Sequence, residues 1–318
     1  MAEKKVFITG MGGYIAGCLC RDLDRTDWCG RFYGMDVKAP LYKWELGEFR
    51  KMDINDPKLV EWVKEIKPDI MVHLAFVVDP IPDDALMHKI NVDGTKNALK
   101  ACAEASVPQI LVASSGTAYG AWPDNPVPLR ETDPLRPHPT FTYARDKSQI
   151  EEICKEFMDQ RPDVIFSLIR PCIVFGPMVD NYLSALLTMW PMVKIKEYNP
   201  PFQFVHEDDV AGAILAILKS KARGPFNITP PNTMLMWEVS DFTGRLTITL
   251  PNRIVEKVMA LSWKLQLPFM QAPPYVMDFM RHPWVMDPSR LTEETGYTFR
   301  YSTRETLEIM LRAKGVLE

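Results

Sequence analysis

The sequence predicts an α/β protein, a doubly wound parallel sheet followed by a smaller, mostly helical lobe. Three observations lead there. Strand-like and helix-like segments alternate from Val6 to Arg170, and the first strand runs straight into a glycine turn, "VFITGMGGYIAGCL". Beyond Arg170 the composition shifts toward proline, methionine and tryptophan. Alternation at this spacing is the mark of βα units, whose helices cover both faces of a parallel sheet.

In chain order, Val6–Thr9 reads as the first strand and Gly13–Leu23 as its helix. Phe32–Asp36 and Phe49–Ile54 read as strands two and three. Pro57–Ile66 is helical, with apolar residues at 59, 60, 63 and 66 on one face. Asp69–Ala75 is a nearly continuous apolar run, as expected of a strand covered on both sides. Asn91–Ala105 is a helix, Gln109–Ser114 the fifth strand, Tyr143–Met158 another helix and Val164–Ile169 the sixth strand. After Arg170 the helical pieces shorten. Val210–Leu218 reads as a helix returning to the first lobe, and "IVEKVMALSWKLQLPFM" from Ile254 has amphipathic spacing, expected to pack on the first lobe or a partner subunit. The expected division is residues 1–170 plus about 202–228 for the first lobe, and 171–201 plus 229–318 for the second.

Composition narrows the function classes. The 318 residues are 47% hydrophobic and 25% charged, with a net charge of -4. That balance makes no electrostatic case for nucleic acid or an anionic membrane surface. Six cysteines, at 18, 20, 29, 102, 154 and 172, form no C-x-x-C pair and no zinc spacing, which fits a reducing compartment. The longest apolar run, Val210–Leu218, is too short to span a bilayer. No basic-then-apolar leader precedes Val6, so the expected location is cytoplasmic. No two histidines have metal-ligand spacing, and no metal is expected.

Two local patterns carry chemistry. Gly10 permits a tight turn after the first strand, and Gly13 lets a pyrophosphate approach backbone amides at a helix N-terminus. This is the Rossmann arrangement, although Ala16 stands where a third glycine would help helix and strand pack. Asp36 ends strand two, about twenty residues beyond the glycines, where a carboxylate can bond ribose hydroxyls. A carboxylate there repels a 2'-phosphate, so NAD is expected rather than NADP. The second pattern is "FTYARDKSQ". Tyr143 and Lys147 are neighbours on one helix face, and a lysine cation is expected to lower the phenol's pKa toward neutrality.

With these residues assembled, the chain resembles the extended short-chain dehydrogenase/reductases, the NAD-dependent epimerase/dehydratase family. The resemblance runs nearly end to end, through "TGMGGYIAG", "MDI" with Asp53, "HLA" from His73, "NVDGTKNAL" from Asn91, "SSGTAYG", Tyr143-x-x-x-Lys147, "RPCIVFGP" and "FVHEDDVAGA". It implies a catalytic triad of Ser115, Tyr143 and Lys147. Ser115 and Tyr143, with Thr117, would face the substrate oxygen. Lys147 would bond the nicotinamide ribose. Asp53 and Ile54 would flank adenine, and Leu74, Ala75 and Pro171 would line the cofactor groove. Tyr14, Ile15, Ser114 and Ile173 complete the implied cofactor contacts. Asn91 matches the family's asparagine near the site, with a helix cap as the equal alternative. The resemblance also implies a homodimer paired through helices at 84–105 and 143–159.

Departures from the family pattern matter as much. Sugar 4,6-dehydratases carry Asp-Glu just after the catalytic Ser/Thr, whereas Gly116 and Thr117 stand here. The stretch "MVKIKEYNPPFQFVHEDD" lacks the arginine that binds a diphosphate in sugar-nucleotide enzymes. Lys194 or Lys196 lacks the bidentate fork, and Arg245, Arg253, Arg281 and Arg290 remain open as replacements. The leading expectation is reversible hydride transfer at a secondary alcohol or ketone carbon. The alternatives are a UDP-sugar 4-epimerase with tightly held NAD and a non-catalytic NAD-binding regulator.

Overall fold

The computed structural model describes residues 3–79, 81, 83–188, 191–265 and 273–317. Its centre is a seven-stranded sheet made of β1 (Lys4–Thr9), β2 (Cys29–Asp36), β3 (Gly47–Lys51), β4 (Ile70–His73), β5 (Gln109–Ala113), β6 (Ile165–Pro171) and β7 (Gly224–Ile228). The strand order is β7-β6-β5-β4-β1-β2-β3, and every neighbouring pair is parallel. The chain runs outward from β1 to β3, then crosses back to place β4 on the other side of β1. That reversal opens a crevice at the C-terminal ends of β1 and β4, the place where such sheets bind ligands.

Both faces are covered. Val6 and Ile8 point into one apolar core, while Phe7 between them points into the other; Ile70, Val72 and Met71 of β4 divide in the same way. Helices α1 (Tyr14–Asp24) and α5 (Glu207–Ser220) close the first core. Helices α2 (Lys58–Ile66), α3 (Gly94–Ala105) and α4 (Thr142–Gln160) close the second. All six thiols are buried and unpaired, as a reducing environment allows.

Three elements differ from the sequence reading. The third strand stops at Lys51, because the Asp53 carboxylate accepts from the Asn55 amide (2.8 Å) and folds the chain into a turn. The helix expected from Asn91 starts at Gly94, after a π-helical turn at Lys89–Asp93 that continues a short helix at Asp84–His88. β7 carries no strand signal, since "GPFNI" opens on Gly-Pro. Pro225 fits because β7 is an edge strand bonded to β6 alone.

The second lobe contains more strand than expected. Met192–Ile195 pairs with Thr247–Leu250, and Pro201–Phe202 with Met234–Leu235. The amphipathic segment forms a helix at Asn252–Leu265, and its remainder lies outside the described residues. Val255, Met259 and Ser262 face inward, whereas Ile254, Val258, Leu261 and Leu265 are exposed on the other side. Among the described residues, no helix is long and apolar enough to cross a membrane, and no His/Cys/Asp/Glu group could hold a metal ion.

Candidate active site

The glycine turn sits in the crevice. Gly10 has φ +77°, and an ideal Cβ there would stand 2.6 Å from the Leu74 carbonyl carbon and 2.7 Å from the Ala75 amide nitrogen. Only glycine lets the first turn press against the end of β4. Gly13 precedes α1 with no side-chain cap, and no acidic residue lies in the first turn, which contains Tyr14 and Ile15. The helix therefore presents free N–H groups and its positive end to the crevice. Gly12, which the sequence reading passed over, has its own task. Its amide donates to Asp36 Oδ2 (3.1 Å), and a Cβ would collide with the Lys38 carbonyl. The Lys38 amide donates to Asp36 Oδ1 (3.0 Å), so two backbone amides aim this carboxylate at the turn. The glycine doublet was the available signal for Gly12.

The adenine-side residues follow from β3. The Met52 amide donates to the Asp36 carbonyl (3.1 Å), which brings exposed Asp53 and buried Ile54 beside the end of β2. The turn and its carboxylate fit a dinucleotide: uncapped amides for a pyrophosphate, Asp36 for ribose hydroxyls and an apolar wall at Ile54.

The second cluster lies at the ends of β5 and α4. The Ser115 hydroxyl accepts from the Thr117 amide (3.2 Å) and the Thr117 hydroxyl (2.9 Å), and its influence on the Tyr143 phenol lowers the phenol's pKa. One helical turn along α4, Lys147 Nζ donates to the Ala113 carbonyl (2.6 Å). Both side chains are buried. The adjacent Ser114 hydroxyl is buried with no hydrogen-bond partner among the described residues, a spare polar capacity beside the crevice. The ends of β1, β2 and β5 carry Gly10, Asp36 and Ser115 on one rim, and the start of α4 brings Tyr143 and Lys147.

The electrostatics correct one expectation. Lys147 does not pull the phenol down. Burial pushes Tyr143 up to about 12, opposed by the Ser115 hydroxyl, and burial drives the Lys147 ammonium well below its ordinary value. Lys147 Nζ lies 2.9 Å from the centroid of the Phe76 ring and 5.6 Å from that of Tyr143. Two groups sharing a water-excluded seam each lose hydration, which disfavours the charged form of both. Burial raises Tyr14 as well, and Tyr143 lies within electrostatic reach of it.

Asn91 is neither a cap nor free. Its side chain accepts from the Val77 amide (2.9 Å) and donates to the Val77 carbonyl (3.3 Å) and Asp146 Oδ2 (3.3 Å), so it pins the loop after β4 to α4. Pro171 ends β6 beneath Gly116, and Ile173 lines an apolar cavity in the second lobe. His73 is structural, as expected. The Thr95 hydroxyl donates to the Asn91 carbonyl (2.6 Å), so it accepts from His73 Nε2 (3.0 Å). That leaves His73 Nδ1 to accept from Thr9 (2.6 Å). Burial, aided by Lys147, lowers His73 to about 3, and the ring stays neutral. His138 is partly buried, paired with Asp278 (3.0 Å) and stacked on Trp122.

Comparison with known proteins agrees with this geometry. The family model described as NAD dependent epimerase/dehydratase family matches residues 6–229. An uncharacterised protein of Mycobacterium bovis is 24% identical over 320 residues, covering 98% of this chain and 85% of its own. Two solved structures share the fold. The UDP-glucose 4-epimerase of Thermotoga maritima with UDP-glucose has TM-score 0.74 and 18% identity, over 99% of this chain and all of its own (100%). The UDP-glucose 4-epimerase of Thermus thermophilus with NAD has TM-score 0.76 and 20% identity, over 98% of this chain and 100% of its own. A model matched over most of the length, on a doubly wound sheet with its glycine turn at the switch point, means that the chain belongs to the NAD-dependent epimerase/dehydratase family of enzymes, whose cofactor is NAD.

Proposed function

We propose that the enzyme oxidises a secondary alcohol, or reduces the corresponding ketone, with Ser115, Tyr143 and Lys147 as its working side chains. The observation that carries this reading is the burial of Tyr143 and Lys147 one turn apart on α4, with the Ser115 hydroxyl, which accepts from the Thr117 hydroxyl (2.9 Å), acting on the phenol. NAD, when bound, accepts the hydride that leaves the alcohol carbon, or returns it to the ketone. Asp36 would bond the adenosine ribose and the first turn of α1 the pyrophosphate. Ser115 would hold the substrate oxygen. In oxidation Tyr143 takes the hydroxyl proton as the carbonyl forms; in reduction it gives that proton back.

Burial keeps the phenol protonated, so it is ready as an acid and must be ionised to act as a base. Oxidation is therefore expected to speed up with rising pH, and reduction is not. Tyr143→Phe is expected to lower kcat about 10²–10⁴-fold and to abolish the alkaline rise. Thermal-shift measurement is expected to show NAD binding retained. Full activity of this variant on a turned-over substrate overturns the assignment.

The second reading is a UDP-sugar 4-epimerase, which uses the same three side chains. It is favoured by the likeness to two UDP-glucose 4-epimerases, although no described residue lining the second-lobe cavity is a cation. A rise in melting temperature on adding UDP-glucose to the NAD-saturated protein would select it.

A further inference from the structure

A partly open cavity of about 170 Å³ at the second lobe extends to Thr117, the neighbour of Ser115. Thr117 lines it, and the Thr117 hydroxyl bonds Ser115. Phe141, two residues before Tyr143, forms part of the same wall. From there the cavity runs between Phe175, Phe204, Met259 and Trp284. No described residue that lines it carries a charge. Its polar groups are few: the hydroxyls of Thr117, Ser240 and Tyr182, and the Trp284 Nε1, which is buried with no partner among the described residues. Ser240 donates to the Met236 carbonyl (3.1 Å) within its own helix, and Thr117 donates to Ser115.

The cations left open as replacements for the missing arginine are engaged elsewhere or absent from the wall. Lys194 pairs with Asp241. Arg281 bonds Asn252 (2.9 Å), Asp278 (3.2 Å) and Glu256 (3.1 Å). Arg290 bonds Glu294 and the carbonyls of Pro225 and Arg223, against β7. Neither Arg245, Arg253 nor Lys196 is among the lining residues. A diphosphate moved into such a wall would lose its hydration and gain no cationic partner. An apolar cavity of about 150 Å³ stays dry and accepts a benzene-sized guest, so the volume here suits a one- or two-ring hydrocarbon.

We propose that this cavity seats the non-reacting body of the substrate, and that this body is an uncharged carbocycle or branched hydrocarbon rather than a nucleoside diphosphate. The proposal rests on the dehydrogenase reading for one point, the placing of the reacting carbon at Ser115 and Tyr143. The apolar body fills the space between Phe175 and Met259, and the hydroxyl or keto oxygen emerges past Thr117 to Ser115. Hydrophobic burial supplies the binding energy, and the two hydroxyls of the triad supply orientation.

The test is calorimetric titration of the full chain in saturating NAD+ with three probes, namely tetralin, 1-tetralol and UDP-glucose. NADH absorbance is followed separately. Tetralin, which has no reacting group, is expected to bind, and 1-tetralol to bind and yield NADH. Val239→Phe narrows the cavity and is expected to weaken both by at least tenfold. Should that variant not fold, the wild-type titrations decide alone. Absence of tetralin binding up to its solubility overturns the apolar seat, and UDP-glucose binding with turnover in its place leaves the triad reading standing. Tetralin binding without NADH from 1-tetralol keeps the seat and overturns the placing of the reacting carbon.

Discussion

Glu207 shows how much a single side chain can depend on its surroundings. In "FVHEDD" it resembles its acidic neighbours, and all three stand in the first turn of α5, where carboxylates suit the helix dipole. His206 caps that turn by accepting from the Asp208 amide (3.1 Å). Asp209 accepts from Tyr297, Arg300 and Tyr301 and so ties the C-terminal segment to the helix. Glu207 instead packs against Gly176, where a Cβ would overlap its carboxyl, and its Oε2 has no partner among the described residues. Burial raises it from 4.5 to about 7. A raised folded pKa means stability that is present below the unfolded value and lost as pH climbs through the folded one. The native state thus gives up about 3 kcal/mol between pH 4.5 and pH 8 on account of this group. Glu207→Gln is expected to stabilise the protein at pH 8 relative to wild type, with the advantage shrinking toward pH 4.5. Urea melts at both pH values measure this, and a pH-independent difference would refute it.

At the level of elements, α4 matters most because it carries Tyr143 and Lys147. It is fixed to the sheet by a buried ion pair. Arg170 of β6 donates from Nε and Nη2 to Glu151 of α4 at 2.8 and 2.6 Å, and from Nη1 to the Tyr119 hydroxyl. Glu151 is one turn beyond Lys147, so this bidentate clamp sets the helix's height over β5 and β6. Removing one partner leaves a buried charge alone. Arg170→Met is expected to cost about 3–5 kcal/mol, and adding Glu151→Leu to recover a large share of it. A denaturant double-mutant cycle reads the coupling, and strict additivity of the two changes would mean that the pair does not hold the helix. The Arg170 of "RPCIVFGP" was visible in the sequence as part of a motif. Its partner was not, because Glu151 lies nineteen residues earlier in an ordinary polar helix position.

Across the whole molecule, the binding crevice depends on the reversal of strand order that brings the turn after β1 against the end of β4. Gly10→Ala combines a disfavoured φ with a Cβ inside contact distance of Leu74. It is expected to lower stability by about 1–3 kcal/mol and to diminish the melting-temperature rise that NAD produces. An unchanged NAD response would detach the glycine turn from cofactor binding. Much of this architecture was legible in the chain. Alternating apolar segments, Gly10, Gly13 and Asp36 announced the sheet and its nucleotide turn, because backbone twist, helix periodicity and turn sterics are local and leave periodic marks. Tyr143 and Lys147 were paired by helical spacing alone. What local pattern could not carry was desolvation. Whether Lys147 acidifies Tyr143, whether Glu207 keeps its proton, and whether the second lobe's methionines pack solidly or surround a cavity all depend on which distant segments exclude water. The edge strand β7 likewise exists only because β6 offers it an unpaired rim. Sequence determined the elements and singled out the proposed reacting groups; tertiary structure decided their hydration, and with it their charge and the apolar character of the space beside them.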